Sequence, residues 1–237
     1  MTFAEILDTG IVGNMLFDQS ISPTTQAVWV VIAAVLCIAI PYFLGSINFA
    51  IILSKTIYKV DIRELGSGNA GATNIMRNFG TKTALMTFGG DALKAFVSGA
   101  LGYLLLGQYG AHIAGLFCVL GHMFPIYYRF KGGKGVLVTS TMALILTPIP
   151  FLILFGVFAA VYGMSKYISL GSVSVAVLYP VVLHGYFTVV FEMPMPGLIS
   201  LAAILLACII VWCHRENLKR ISERTERKTY LRKRKDD

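Results

Sequence analysis

The 237-residue chain is 56% hydrophobic and only 14% charged, with a mean hydropathy of +0.73. An ordinary soluble domain carries about a quarter charged residues, so this balance excludes one and points to an integral membrane protein. The net charge of +8 is unevenly placed: ten of the twenty Lys and Arg lie from His214 onward.

Residues 1–27 hold Glu5, Asp8 and Asp18 with no basic residue, and read as a short amphipathic or poorly ordered leader. No cleavable signal peptide is visible, because a basic start and a small-residue cleavage site are both lacking. Val28 to Leu53 is apolar enough to span a bilayer, with Pro41 and Gly45-Ser46 softening its later half. The polar loop 54–82 carries five basic residues. Thr83 to Leu106 is the next apolar segment, interrupted by Asp91 and Lys94, and Ala111 to Tyr128 follows a tight uncharged turn. A second polar insert, Arg129 to Gly135, precedes Val136 to Gly163, which holds Pro148 and Pro150. Leu170 to Phe191 and Gly197 to Cys213 complete the apolar segments. Cys37, Cys118, Cys208 and Cys213 have neither zinc-like nor redox spacing and read as small core residues.

Charge placement sets the expected topology. Loop 54–82, the insert 129–135 and the tail all belong inside by the positive-inside bias. If Val136–Gly163 crossed once, Lys166 and the basic tail would lie outside. Splitting that stretch at Thr147-Pro148-Ile149-Pro150 into two short helices restores the order. The expectation is an all-α integral membrane protein of seven transmembrane helices, two of them short, amino terminus outside and carboxyl terminus inside. It divides into an extracytoplasmic leader, 1–27, one transmembrane domain, 28–213, and a cytoplasmic basic tail, 214–237.

The first chemical signal is Gly66-Ser67-Gly68-Asn69-Ala70-Gly71-Ala72-Thr73-Asn74, followed by Arg77. Glycines allow ligand atoms close to main-chain N–H groups, and the hydroxyls, carboxamides and guanidinium suit a phosphate. Gly66, Gly68 and Gly71 also match Gly-x-Gly-x-x-Gly. A dinucleotide site needs a strand before those glycines, whereas Tyr58 to Glu64 is charged and shows no apolar run. A plain glycine-rich turn between membrane helices is the structural alternative.

The second is Lys131-Gly132-Gly133-Lys134-Gly135, which offers backbone donors and two ammonium groups to a phosphate. It is not a Walker A loop, since no Ser or Thr follows the lysine. A headgroup anchor is the simpler alternative. Asp91 and Lys94 share a helix face. They read as an internal ion pair locking the helix to its neighbours, with indirect support of the site as the rival reading. His122 reads as a helix–helix hydrogen-bonding group with substrate contact as the rival, and His112 and His184 as packing residues. His214 and Asn217 are three apart, at the head of a tail that otherwise reads as an anchor.

Taken in order, these segments resemble the bacterial acyl-phosphate:glycerol-3-phosphate acyltransferase family (PlsY). The resemblance rests on Gly66 to Asn74 with Arg77, on Gly121-His122-Met123-Phe124-Pro125 running to Gly135, and on His214-Arg215-Glu216-Asn217 with Arg220. It covers roughly Pro41 to Lys228. Asn48, Ala95 and Arg224 depart from residues frequent in the family. The resemblance implies transfer of a fatty acyl group from acyl phosphate to the sn-1 hydroxyl of glycerol 3-phosphate, giving lysophosphatidic acid. It implies a site at the cytoplasmic face of the bacterial inner membrane, lined by Ser67, Asn69, Arg77, Lys134, Ser172, His214 and Asn217. Gly68, Gly71, Thr73, Asn74, Lys131, Gly132 and Gly133 are the further phosphate-binding candidates. No cofactor, metal, nucleic acid or obligate protein partner is implied; the partners are the two substrates and the lipid bilayer. A transporter of a phosphorylated metabolite is the rival, but no internal repeat is found and the polar motifs gather at one face.

Overall fold

The computed structural model describes residues 3–16 and 18–229, and among them there are helices and loops but no strands. Four helical stretches are long and apolar enough to cross a membrane, and the bent pair Gly197–Cys213 and Arg215–Ser222 makes a fifth. The chain divides into two compact units, residues 1–146 and 147–237.

In the first unit, α1 (Phe3–Met15) occupies part of the segment expected to be a disordered or amphipathic leader. α2 (Pro23–Ser46) begins five residues before the apolar run that announces it. Ser22 caps it by accepting the Thr25 amide, and Pro23 supplies a first residue with its φ already set. α3 (Phe49–Ile57) is capped by Asn48. A 3-10 turn (Ile62–Glu64) leads through the glycine motif into α4 (Ala72–Met123). α4 is broken at Gly80 and again at Leu106-Gly107, where the chain folds back on itself.

Small residues let these segments approach closely. A Cβ on Gly102 would collide with the Gly110 carbonyl, so the arms 81–105 and 108–123 touch through main chain. Gly45 and Gly121 do the same between α2 and the arm 108–123, against Cys118 and Tyr42. α5 (Val136–Leu146) lays Met142 over Gly99 and Gly115, bridging both arms. Ala50, Ile51, Ile62, Ala70, Ile75 and Ala84 form the apolar floor beneath the glycine motif.

The second unit opens where α5 ends. Thr147 separates α5 from α6 (Pro148–Ser165), at the break expected from Pro148 and Pro150. α7 (Ile168–Val190) packs Gly171 against Phe158 of α6. α8 (Gly197–Cys213) packs on α7 through Leu183, Phe187, Ile199 and Ala203. At His214 the chain bends by 51° into α9 (Arg215–Ser222), a short polar helix. Cys37 and Cys118 are buried as expected, whereas Cys208 is exposed on α8, because helix face rather than apolar context decides burial.

Candidate active site

Asn74, in the first turn of α4, is the strut of the glycine motif. Its Nδ2 donates to the carbonyls of Ile62 (3.2 Å), Leu65 (2.9 Å) and Asn69 (3.1 Å). Its Oδ1 accepts the Ser67 amide (3.2 Å) and Asn78 Nδ2 (3.1 Å). Four of these contacts from one buried carboxamide fix the loop from Ile62 to Asn69 in a single shape, and the fifth steadies the carboxamide from Asn78 on α4. Gly66 adopts φ +59° there, and any Cβ would strike the Asn74 oxygen. The carboxamide hydrogens are committed to loop carbonyls, so Asn74 acts on a ligand through the loop it shapes. Ser67 and Gly68 are exposed, and Asn69, Gly71 and Thr73 are half-buried. Arg77 lies one turn beyond Thr73 on α4 and is exposed.

The second glycine loop folds back on the end of α4. The amides of Gly132 and Gly133 donate to the carbonyls of Met123 and His122, both at 3.1 Å. Gly133 is then wedged between loops: a Cβ would strike the His122 ring and stand 2.8 Å from the Ala70 carbonyl. Ala70 also accepts Asn48 Nδ2 at 3.2 Å. Lys131 is exposed and Lys134 half-buried, one on each side of the glycine pair.

Arg63 fastens the two loops together. Its Nη1 donates to the carbonyls of Tyr128 (3.0 Å) and Lys131 (3.2 Å). Asp61 holds the same guanidinium from behind, accepting Nε at 2.9 Å and Nη2 at 2.7 Å, and pairs with Lys55 at 2.9 Å. The hydrogen bonds from Arg63 keep the Asp61 carboxyl well below the ordinary carboxylate range, against a smaller opposing effect of burial. The carboxylate in turn raises the Arg63 guanidinium above its usual value. The first unit thus brings Ser67, Gly68, Asn69, Gly71, Thr73 and Asn74 to the same place as Lys131, Gly132, Gly133 and Lys134. Such a pair of glycine-rich loops, flanked by Arg77 and two lysines, is chemically suited to oxyanions.

In the second unit a polar cluster forms around the bend at His214. Glu226 accepts Asn217 Nδ2 (2.6 Å), Ser169 Oγ (3.0 Å) and Arg220 Nε (2.7 Å). Burial raises the Glu226 carboxyl, and these three donors outweigh it and hold the group below its ordinary value. His214 is buried, and its Nδ1 lies 2.7 Å from the Ile210 carbonyl. A carbonyl can only accept, so Nδ1 carries a proton and the basic lone pair of the neutral ring is at Nε2. Ser172, one turn beyond Ser169 on α7, is buried and donates to the Ile168 carbonyl at 2.9 Å.

The family model for glycerol-3-phosphate acyltransferase matches residues 35–224, four-fifths of the sequence. The chain belongs to the glycerol-3-phosphate acyltransferase family. A glycerol-3-phosphate acyltransferase of Thermoanaerobacter pseudethanolicus is 38% identical, over 82% of this chain and 95% of its own. One from Geobacillus kaustophilus is 39% identical, over 81% and 94%. Among solved structures, the integral membrane acyltransferase PlsY (YgiH) in its glycerol 3-phosphate form superposes with a TM-score of 0.74. It is 32% identical, over 83% of this chain and 96% of that one.

For this acyltransferase, sequence reasoning found the polar motifs but missed what holds them. Arg63 and Asp61 read only as part of a charged approach to the glycines. Their opposite charges two residues apart, on either side of the buried Ile62, are the available sign of a side-chain clip. Glu226 is an acidic residue inside a basic run, in a tail that by composition reads as a headgroup anchor. Asp91, Lys94 and His122 form one buried cluster. The expected internal ion pair is present, at 2.7 Å.

Proposed function

We propose that this membrane acyltransferase moves a fatty acyl group from acyl phosphate to the sn-1 hydroxyl of glycerol 3-phosphate, forming lysophosphatidic acid. The observation that carries the reading is the convergence of the two glycine loops, with Arg77, Lys131 and Lys134 around them, in a chain that matches the family along 35–224. Both substrates bear phosphates, and a site for them needs two sets of anion-binding groups.

Acyl phosphate is already activated, so no covalent enzyme intermediate is required. The glycerol hydroxyl oxygen attacks the acyl carbon, the carbon–oxygen bond to phosphate breaks, and inorganic phosphate leaves. The chain's residues supply alignment and stabilise the developing oxyanion. Arg77 and Lys134 hold phosphates, aided by the backbone of Gly68, Gly71, Gly132 and Gly133 and by Thr73 and Lys131. Ser67 and Asn69 donate hydrogen bonds. The roles of Ser172, His214 and Asn217 rest on the family resemblance. The hydroxyl proton passes either to His214, the protein base candidate, or to a substrate phosphate, and the chemistry allows both equally.

The chain crosses the bacterial inner membrane seven times in this reading, amino terminus outside and reaction at the cytoplasmic face. The breaks at Leu106-Gly107 and Thr147 support this count, and the positive-inside bias supports the orientation. The test is purified protein with acyl phosphate and glycerol 3-phosphate, monitoring lysophosphatidic acid and inorganic phosphate. Product from acyl phosphate and none from acyl-CoA is expected. Product from acyl-CoA alone overturns the donor.

A further inference from the structure

Beneath the two glycine loops lies a charged cluster that the proposed reaction leaves unused. Asp91 and Lys94 are buried on the arm 81–105, and His122 is buried near the end of the arm 108–123. Lys94 Nζ is 2.7 Å from Asp91 Oδ1, and it donates to His122 Nδ1 at 3.0 Å. It also donates to the carbonyls of Gly45 (2.9 Å) and Ile47 (2.7 Å), where α2 ends. A pair confined to one arm would stop at its carboxylate. This ammonium instead reaches two further segments, and each leads into a loop of the phosphate-binding region. Ile47 precedes Asn48, which donates to the Ala70 carbonyl. His122 carries the carbonyl that accepts the Gly133 amide, and its ring stands where a Cβ on Gly133 would be.

An ammonium has donors only, so Nδ1 of His122 must accept and the neutral ring must carry its proton on Nε2. Asp91 balances the ammonium, so a neutral imidazole leaves the cluster without net charge. The ring is therefore fixed in tautomer and tilt from below, and its far edge meets Gly133 opposite Ala70. We propose that Lys94, held by Asp91, is a positioning residue for phosphate binding: it sets the His122 imidazole, and the imidazole sets the spacing of the Ala70 and Gly133 loops. The loops' role in holding phosphate rests on the reading given under Proposed function.

The test has two arms. In the first, histidine-labelled protein in micelles gives the nitrogen shifts of the His122 ring, assigned by loss of the signal in His122→Asn. Wild type is expected to show neutral imidazole with its proton on Nε2. Asp91→Asn/Lys94→Met, which removes both charges and leaves neither buried alone, is expected to shift the ring toward the other tautomer. Wild-type protein with its proton on Nδ1, or a double variant with unchanged shifts, overturns the proposal. In the second arm, steady-state kinetics are measured on the double variant and on His122→Asn, which keeps an acceptor for Lys94 but removes the ring edge. Both should raise KM for a phosphate-bearing substrate roughly tenfold or more, with kcat within about threefold of wild type, since ground-state alignment is what is lost. A lowered melting temperature with unchanged KM in both variants leaves only a helix lock and overturns the positioning role. Wild-type protein without acyltransferase activity sinks the functional reading instead, and the nitrogen shifts still decide the link between Lys94 and His122.

Discussion

Gly133→Ala places a single methyl group at the contact on which the two loops meet. The new carbon would collide with the His122 ring and stand 2.8 Å from the Ala70 carbonyl, where ordinary van der Waals contact begins at 3.4 Å. Neither neighbour can yield cheaply. The ring is held by Lys94, and the carbonyl accepts Asn48. The loops must therefore part, by about half an ångström at the carbonyl and more at the ring. A misplacement on the order of 1 Å in a positioned site costs about 100-fold in rate, so kcat/KM should fall roughly 10- to 100-fold. The assay is lysophosphatidic acid formation at varied concentrations of each substrate, with the melting temperature measured in the same detergent. Gly156→Ala is the matched control, because nothing lies within 4 Å of a Cβ there. Its rate should be that of wild type. A Gly133→Ala protein that folds and keeps kcat/KM within about threefold of wild type would refute the claim that this contact sets the site.

Asn74→Asp exchanges a donor to three carbonyls for a carboxylate oxygen facing them, so both the melting temperature and kcat/KM should drop sharply. A variant with wild-type stability would show that the strut is dispensable. Arg63→Met removes the tie to Tyr128 and Lys131 while keeping a similar apolar stem. It should raise KM more than it lowers kcat, and an unchanged KM counts against the clip. Asp61 has a depressed folded-state pKa, so its stabilisation is present above the unfolded value near 3.8 and lost only as the pH falls through the folded one. The loss of melting temperature in Asp61→Asn should then be equal at pH 7 and pH 5; a gap that closes between them contradicts the assignment. Glu226 is also depressed, so the stability difference between Glu226→Gln and wild type should be constant above pH 6 and narrow below its ordinary value of 4.5. A difference that widens with acid would mean that Glu226 is not held as a carboxylate.

What the sequence announced well was local. The break at Thr147 is carried by two prolines and a charge-balance argument, and the apolar runs of α7 and α8 stand out by composition alone. The start of α2 is also written locally, in Ser22-Pro23, but those residues stand in a largely polar stretch, Asp18 to Gln26, that reads as part of the leader. The first turns of α4 carry a short apolar stripe, Ala72, Ile75, Met76 and Phe79, and Ile75, Met76 and Phe79 pack on the floor beneath the glycine motif; two turns inside a polar loop are too short to stand out as a span. The links that assemble the site are of another kind. Arg63 to Lys131 and Lys94 to His122 join residues far apart in the chain, and no periodicity encodes a partner at that distance. Arg77 and Lys134 could be proposed as ligands from residue type, whereas the strut, clip and cluster that place the loops needed coordinates.

Both hydrogen bonds of Arg63 to the second loop fall on main-chain oxygen, although its guanidinium also lies 5.9 Å from the centre of the Tyr128 ring, which packs on the apolar floor. At Lys131 such a fastening is blind to the side chain of the residue it holds. Position 131 can therefore change in size, polarity or charge while the joint stays closed, provided the backbone keeps its path. The rim around the phosphates becomes a dial that can be turned to suit a new bilayer charge or a new salt regime without rebuilding what lies beneath.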